Sequence, residues 1–427
     1  MKPIAQDHVV VHRSEHPREL FLGSPSIVAL ADGRLVASLG WFGPGVSKHC
    51  TGPVGKRYHF DMQVQAGIFT SEDGGKTWTQ RATFAFQHAR LFEAGGALYL
   101  LGHKGNIMIM KSADAGITWS TPVALTDPDD KGGRYTQAPA NVLTADGKIH
   151  LIMMYLTDYS YRGYFVSTLA LVGMRALANM DLCDRRNWSI SPPSEAFREL
   201  VPDNQLDYFG VPFFDVPDRN RDSRVVAGRP ANRIGWHEAH LLQIVDPNHQ
   251  WFDPSGSTFH VLARADAHRS NMAALAVMKV DDDGCMRFEL QEVPSGKAIS
   301  FLPLPGGNIK FHVLYDQPTR LYWLVSNQVT DSMTRPDALP PERYGLPCNQ
   351  RERLVLHFSK NLVDWQFAGL VAKGKSPLES RSYASMDVDG QDLVILSRSA
   401  DEYAKSAHDT NLITFHRVEA FRGLNFL

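Results

Sequence analysis

The sequence predicts an all-β protein folded as a six-bladed β-propeller, on three observations. An eight-residue pattern occurs twice, as Ser71-Glu-Asp73-Gly-Gly75-Lys-Thr77-Trp78 and, 41 positions on, as Ser112-Ala-Asp114-Ala-Gly116-Ile-Thr118-Trp119. Recurrence at about 40 residues marks one supersecondary unit used repeatedly, which in β-rich sequence means propeller blades. Six strands also follow a hairpin turn, at Ala31-Asp-Gly33, Ala94-Gly-Gly96, Ala145-Asp-Gly147, Pro254-Ser-Gly256, Gln317-Pro-Thr and Val388-Asp-Gly390. Each turn leads into an alternating or continuous apolar run. Finally, 33 Gly and 25 Pro in 427 residues, with 10% aromatic residues, suit many short strands joined by tight turns.

Each copy of the repeated pattern reads as a tight hairpin turn. Asp73 or Asp114 hydrogen-bonds backbone amides, Gly75 or Gly116 takes positive φ, and Trp78 or Trp119 packs beneath. Two shorter relatives, Asp184-Arg-Arg-Asn-Trp188 and Ser359-Lys-Asn-Leu-Val-Asp-Trp365, keep the tryptophan and a polar turn but lose the glycine. The interval from Gly147 to Gly256 is wider than the others and holds either a long insertion or a seventh blade. Within it, Pro202 to Arg233 reads as a long ordered loop on the face where propellers carry function. No linker-like stretch divides the chain, so residues 1–427 are expected to form a single propeller domain with this inserted loop around 200–233. Closure is expected to pair a strand from one terminus with the blade of the other, using Val9-Val10-Val11 or the last strand, which follows His408-Asp409-Thr-Asn411.

Formal charge is −2 with both signs interspersed, which argues against a nucleic-acid groove or a polybasic membrane patch. The N-terminus lacks the roughly 7–15-residue apolar core of a secretory signal, and no stretch is long enough to span a bilayer. The chain as it stands is expected in the cytoplasm, or in the periplasm or medium if a leader was removed. Cys50, Cys183, Cys285 and Cys348 are scattered without a C-x-x-C pair, which is neither a disulfide framework nor a zinc site. No cofactor is called for, a structural Ca²⁺ at a loop is compatible, and the oligomeric state is left open.

The S-x-D-x-G-x-T-W turns resemble the Asp-box, or BNR repeat, of the sialidase (neuraminidase) superfamily, and further stretches extend the resemblance over the whole chain. Trp236-His237-Glu238-Ala-His240 followed by Phe259-His-Val-Leu-Ala-Arg264 resembles the stretch in which a glutamate opens one strand and an arginine ends the next. Asn349-Gln350-Arg351 resembles the strand that delivers another pocket arginine, and Ser382-Tyr383-Ala-Ser385 the stretch that supplies a nucleophilic tyrosine. The resemblance implies a retaining, exo-acting glycoside hydrolase that removes a terminal acidic sugar from a glycan. Tyr383 would be the nucleophile, Glu238 its base, and Arg264 and Arg351 the carboxylate clamp. A phenol with an ordinary pKa near 10 is a weak nucleophile, and a neighbouring carboxylate can take its proton as it attacks. A neutral tyrosine avoids the repulsion that an anionic nucleophile meets at an anomeric carbon bearing a carboxylate, and planar arginine donors suit that carboxylate. Each residue taken singly also fits a rim ion pair or ordinary packing.

Two positions depart from the family. Gly23, in Phe21-Leu-Gly23-Ser-Pro25, stands where the first arginine of an Arg-Ile-Pro motif would be, so one third of the clamp is missing. For the acid/base, Asp61 is the only acidic residue in the matching stretch, and His49 or His59 equally supplies a proton. His240 and Arg134 are further candidates for substrate contact, and alternation along a strand puts Glu238 and His240 on one side and His237 on the other.

Two other functions are carried alongside. His88 and His103 flank one hairpin, and with Tyr135, Tyr155 or Tyr383 and an arginine they would make a polysaccharide lyase, removing the proton α to a uronate by β-elimination. The lost arginine favours a non-catalytic glycan-binding propeller. His237-Glu238-Ala-His240 is not a zinc motif: its spacing is H-E-x-H rather than H-E-x-x-H.

Overall fold

The computed structural model describes residues 1–57, 62–127, 134–161, 165–200, 223–226, 229–231, 234–266, 270–332, 334–335, 338–339 and 350–427. Six antiparallel sheets succeed one another along the chain, each opening with one of the six predicted hairpins. The first blade holds Phe21–Ala29, Leu35–Phe42, Met62–Ser71 and Thr79–Phe84. The second holds Gln87–Ala94, Ala97–His103, Ile107–Ser112 and Val123–Ala124. Leu143–Ala145, Lys148–Leu156, Leu169–Leu177 and Trp188–Ile190 make the third. The fourth is His237–Leu242, Thr258–Arg264, Met272–Val280 and Met286–Glu289, and the fifth is His312–Asp316, Leu321–Ser326, Arg353–Ser359 and Gln366–Lys373.

The sixth blade closes the ring. Arg381–Asp389, Asp392–Ser399 and Leu412–Val418 are joined by the N-terminal strand Val9–Arg13, which pairs antiparallel with Leu412–Val418 through Val9↔Phe415 and Arg13↔Leu412. Both predicted closure strands therefore meet in one sheet, and the seam is also packed, because Leu22, Leu35 and Leu39 share a buried cluster with Val394, Ile413 and Phe415. Joining the ends removes two open sheet edges.

Between Gly147 and Gly256 the chain completes the third blade, forms the short helix Phe197–Leu200 and the hairpin of Ser223–Val226 with Arg229–Ala231, and then opens the fourth blade. The described residues hold no seventh blade. Most of the loop expected from Pro202 to Arg233 lies outside the described residues.

The two repeated turns have the same hydrogen bonds. Thr77 N–H donates to Asp73 Oδ1 at 2.9 Å and Gly75 N–H to Ser71 Oγ at 2.8 Å, while Trp78 Nε1 donates to the Gly75 carbonyl at 3.1 Å. Thr118, Gly116 and Trp119 repeat this against Asp114, Ser112 and Gly116. A Cβ on Gly75 would lie 2.3 Å from the Phe415 ring and one on Gly116 3.0 Å from Val36, so each turn presses on the preceding blade. Ser359–Trp365 keeps the design with Asn361 for the aspartate and Leu362 at φ 66° for the glycine. No helix among the described residues is long and apolar enough to cross a membrane.

Candidate functional site

Four of the six innermost strands break at the same place. Opposite the second strand, two residues face one: Ser24 and Pro25 face Leu39, His88 and Ala89 face Gly102, Glu238 and Ala239 face Ala263, and Tyr383 and Ala384 face Ser397. The first residue of each bulge is left-handed, with φ of 53° at Ser24, 52° at His88, 56° at Glu238 and 53° at Tyr383. A left-handed residue with a side chain costs about 1–3 kcal/mol and persists where the surroundings impose it, commonly at functional sites. The bulge turns each of these side chains out of the sheet alternation and toward the propeller axis. All four line one cavity of 270 Å³ at the N-terminal ends of the inner strands.

On one wall of this cavity sits a buried charge cluster. Arg264 Nη1 donates to Tyr383 Oη at 2.5 Å and lies 3.3 and 3.4 Å from the two oxygens of Glu238. Its Nη2 meets Asp266 Oδ1 at 2.5 Å, and His237 Nδ1 lies 3.6 Å from the other oxygen of that carboxylate. One guanidinium thus fixes the phenol and the carboxylate side by side. Three guanidinium carbons surround the Tyr383 ring, with Arg398 at 5.0 Å, Arg351 at 5.3 Å and Arg264 at 5.9 Å from its centroid. Arg264 and Arg351 are each 1% exposed and lie behind the wall; Arg398 is the arginine that lines the cavity among the described residues.

Beneath the cavity the channel is filled. Lys310 is buried and its Nζ donates to the Ala384 carbonyl, beside Tyr383; burial brings its ammonium down to about 7. Met386 N–H donates to His312 Nδ1 at 2.9 Å, and burial holds His312 and His240 well below the ordinary imidazole range. An 830 Å³ cavity lies at the opposite end of the channel, among the inner hairpin turns. At the bulged end a cavity of 820 Å³ shares Phe42, Met62 and His408 with the smaller one. Desolvation and then the Arg398 cation lower His408, whose Nδ1 lies 2.7 Å from Asp409.

The structure brings Glu238, Arg264, Arg351, Tyr383 and His88 to one place, with His88 Nδ1 at 2.5 Å from Ser24 Oγ. Other expectations are corrected. His103 accepts the Gln137 N–H at 3.1 Å through Nε2 and is buried in the seam between blades two and three, off the cavity wall. His240 is fully buried against Phe311, below the cavity, because the bulge at Glu238 cancels the alternation that would have put the two on one side. The same bulge puts His237 and Glu238 on the same wall. Arg134 donates to the carbonyls of Leu156 and Thr157 and braces blade three. His49 is taken up by Glu19 at 3.0 Å and stacks on His16. Asp61 and His59 lie outside the described residues.

The expected clamp is also altered: Arg264 serves Tyr383, Glu238 and Asp266 behind the wall. Sequence reasoning missed Arg398, which belongs to no motif. Its one sequence-level marker is Gly23, whose missing side chain leaves space beside Arg398. A second overlooked signal was the recurrence of a polar or aromatic residue before alanine in Gln87-His88-Ala89, His237-Glu238-Ala239 and Ser382-Tyr383-Ala384, which marks three of the four bulges.

No family model and no curated protein matches the chain. Among solved structures, a Hadza microbial sialidase is similar with a TM-score of 0.54 at 12% identity, over 96% of this chain and 68% of its own. A protein of unknown function from Dyadobacter fermentans gives 0.53 at 12% identity, over 97% and 99%. A Trypanosoma rangeli sialidase, in complex with sialic acid, gives 0.52 at 14% identity over 99% of this chain and 58% of its own. At these identities the likeness is one of fold: the chain shares the six-bladed propeller of the sialidases.

Proposed function

We propose that the protein is an exo-acting, retaining glycoside hydrolase that removes a terminal acidic sugar from a glycan. The observation that carries it is the sharing of Arg264 Nη1 by the Tyr383 phenol and the Glu238 carboxylate on the wall of an axial cavity. Tyr383 Oη attacks the anomeric carbon while Glu238 accepts the phenolic proton and the bond to the leaving oxygen breaks. That oxygen takes a proton from an acid, a role proposed for Asp61. Water, giving a proton to the conjugate base of that acid, then attacks the anomeric carbon of the glycosyl-tyrosine, the departing phenolic oxygen recovers its proton from Glu238, and the sugar leaves with its configuration retained.

Arg264 positions the pair, and the nearby cations Arg351 and Arg398 favour an anionic sugar. A small cavity opening beside a larger one suits a single terminal residue with the rest of the glycan outside. Two of the neighbours in fold are sialidases, which agrees with this reading.

The test is turnover of aryl glycosides of acidic sugars with a fluorinated analogue as covalent trap. Tyr383→Phe should lower turnover by about 10³-fold or more and abolish trapping on the peptide that carries residue 383. Near-normal turnover would remove the phenol from the mechanism. The position of His88 on the same wall favours a second reading, a uronate lyase, which would instead yield an unsaturated, ultraviolet-absorbing product. Binding without either product would make the propeller a lectin.

A further inference from the structure

We propose that Arg398 is the guanidinium that grips the carboxylate of the terminal sugar, delivered from blade six into the space that Gly23 leaves in blade one. The proposal rests on the acidic-sugar reading above. Register gives the first argument. The residue that pairs with the position just before each bulge is Gly40 in blade one, His103 in blade two, Arg264 in blade four and Arg398 in blade six. Arg398 is therefore the blade-six counterpart of Arg264, yet the two have different surroundings. Arg264 is committed to the carboxylates of Glu238 and Asp266, whereas Arg398 reaches the cavity wall.

Volume gives the second argument. A Cβ built on Gly23 would lie 3.5 Å from Arg398 Cζ and 3.6 Å from its Nε, and 3.2 Å from Phe42 Cε1. A long side chain at position 23 and the guanidinium of Arg398 would claim the same space. Gly23 is not left-handed, so what its missing side chain provides is room rather than backbone freedom.

The Arg398 guanidinium lies 5.0 Å from the ring centroids of both Phe42 and Tyr383. Its Nε donates to Thr410 Oγ1 at 3.3 Å, its Nη2 donates to the His408 carbonyl, and Thr410 Oγ1 in turn donates to the Leu22 carbonyl at 2.6 Å. A fork held in this way is pre-organised for a planar carboxylate and loses little freedom on binding. Because it lies against the ring of Tyr383, the carboxylate it binds is on the same sugar unit that the phenol attacks.

Calorimetric titration of N-acetylneuraminic acid and glucuronic acid, each beside its methyl ester, tests this on the full chain. The wild-type protein is expected to prefer one of the acids over its ester. Arg398→Ala should weaken that acid by about 10- to 100-fold and leave the ester unchanged, the unchanged ester showing that the cavity is intact. Arg398→Lys, which keeps charge without the fork, should fall between. In the double variant Gly23→Arg with Arg398→Ala, the new arginine occupies the vacated volume and much of the preference should return. Full acid preference retained in Arg398→Ala overturns the assignment of Arg398 alone. A wild-type protein with no acid preference overturns the acidic-sugar reading and this proposal with it.

Discussion

Blades one, two, four and six interrupt their inner strands with a left-handed bulge and send Ser24, His88, Glu238 and Tyr383 into the axial cavity. Blades three and five contribute Ala138 and Ile309 at the corresponding level, neither of them left-handed, and Ile309 packs directly on Tyr383. The six blades share one architecture but differ at the axis: four present a bulged side chain, blade three lines the cavity with Thr136 and Ala138, and blade five packs Ile309 behind Tyr383. Two further left-handed residues, Asp266 and Gln350, adjoin the arginine cluster, next to Ala265 and Arg351 respectively. Six of the eleven left-handed non-glycine residues among those described thus lie around the axial cavity and its arginines, and the other five sit in turns.

The largest expected effect falls on the bulged side. Glu238→Gln preserves shape but cannot accept the phenolic proton, so turnover should fall by about 10²- to 10⁴-fold with little change in ground-state binding. Steady-state and single-turnover rates measure this, and a loss confined to KM would place Glu238 in binding instead.

Lys310, on the supporting side, gives an effect on stability with a definite sign. Burial brings the folded-state ammonium down to about 7, whereas the unfolded chain holds its proton to the ordinary lysine range. Between these values the unfolded state binds more protons, so this group makes stability rise with pH above about 7 and adds no slope below it. Lys310→Met should flatten that alkaline rise in urea denaturation midpoints. An identical pH profile in the variant would show that the buried amine is not the titrating group.

The smallest effect separates the two kinds of blade most directly. Ala138→Gly should destabilise by about 0.5–1 kcal/mol, the usual glycine effect. Ser24→Gly should cost less, because relief of the left-handed strain offsets the lost hydrogen bond to His88. Equal losses in thermal or urea unfolding would mean that the bulges store no strain.

Much of the fold was legible because glycine and aspartate punctuate it. All six hairpins, the paired Trp78 and Trp119 turns and the strand Val9–Arg13 were readable as local patterns with local physical causes. The site was legible only in part. Glu238 and Tyr383 were expected at one cavity and do line it, but His240 was misplaced because period-two alternation assumes an unbroken strand. Arg398 was missed because it stands between two serines in an ordinary run of blade six, Ser397-Arg398-Ser399, with nothing nearby to mark it.

The sequence by itself determined the repeat, the turn chemistry and the residue types available to line the axial cavity. These follow from φ preferences, short-range hydrogen bonds and hydrophobic patterning, all of which act over a few residues. Only the tertiary structure decided which cations reach the cavity and which stay behind it. Arg264 and Arg398 occupy the same strand position, and what separates them is that blade four surrounds its own arginine with the carboxylates of Glu238 and Asp266, whereas Arg398 of blade six lies against the space that Gly23 leaves in blade one. That difference depends on side chains hundreds of residues apart meeting at the ring closure, where Thr410 of the last blade holds Arg398 beside Leu22 of the first.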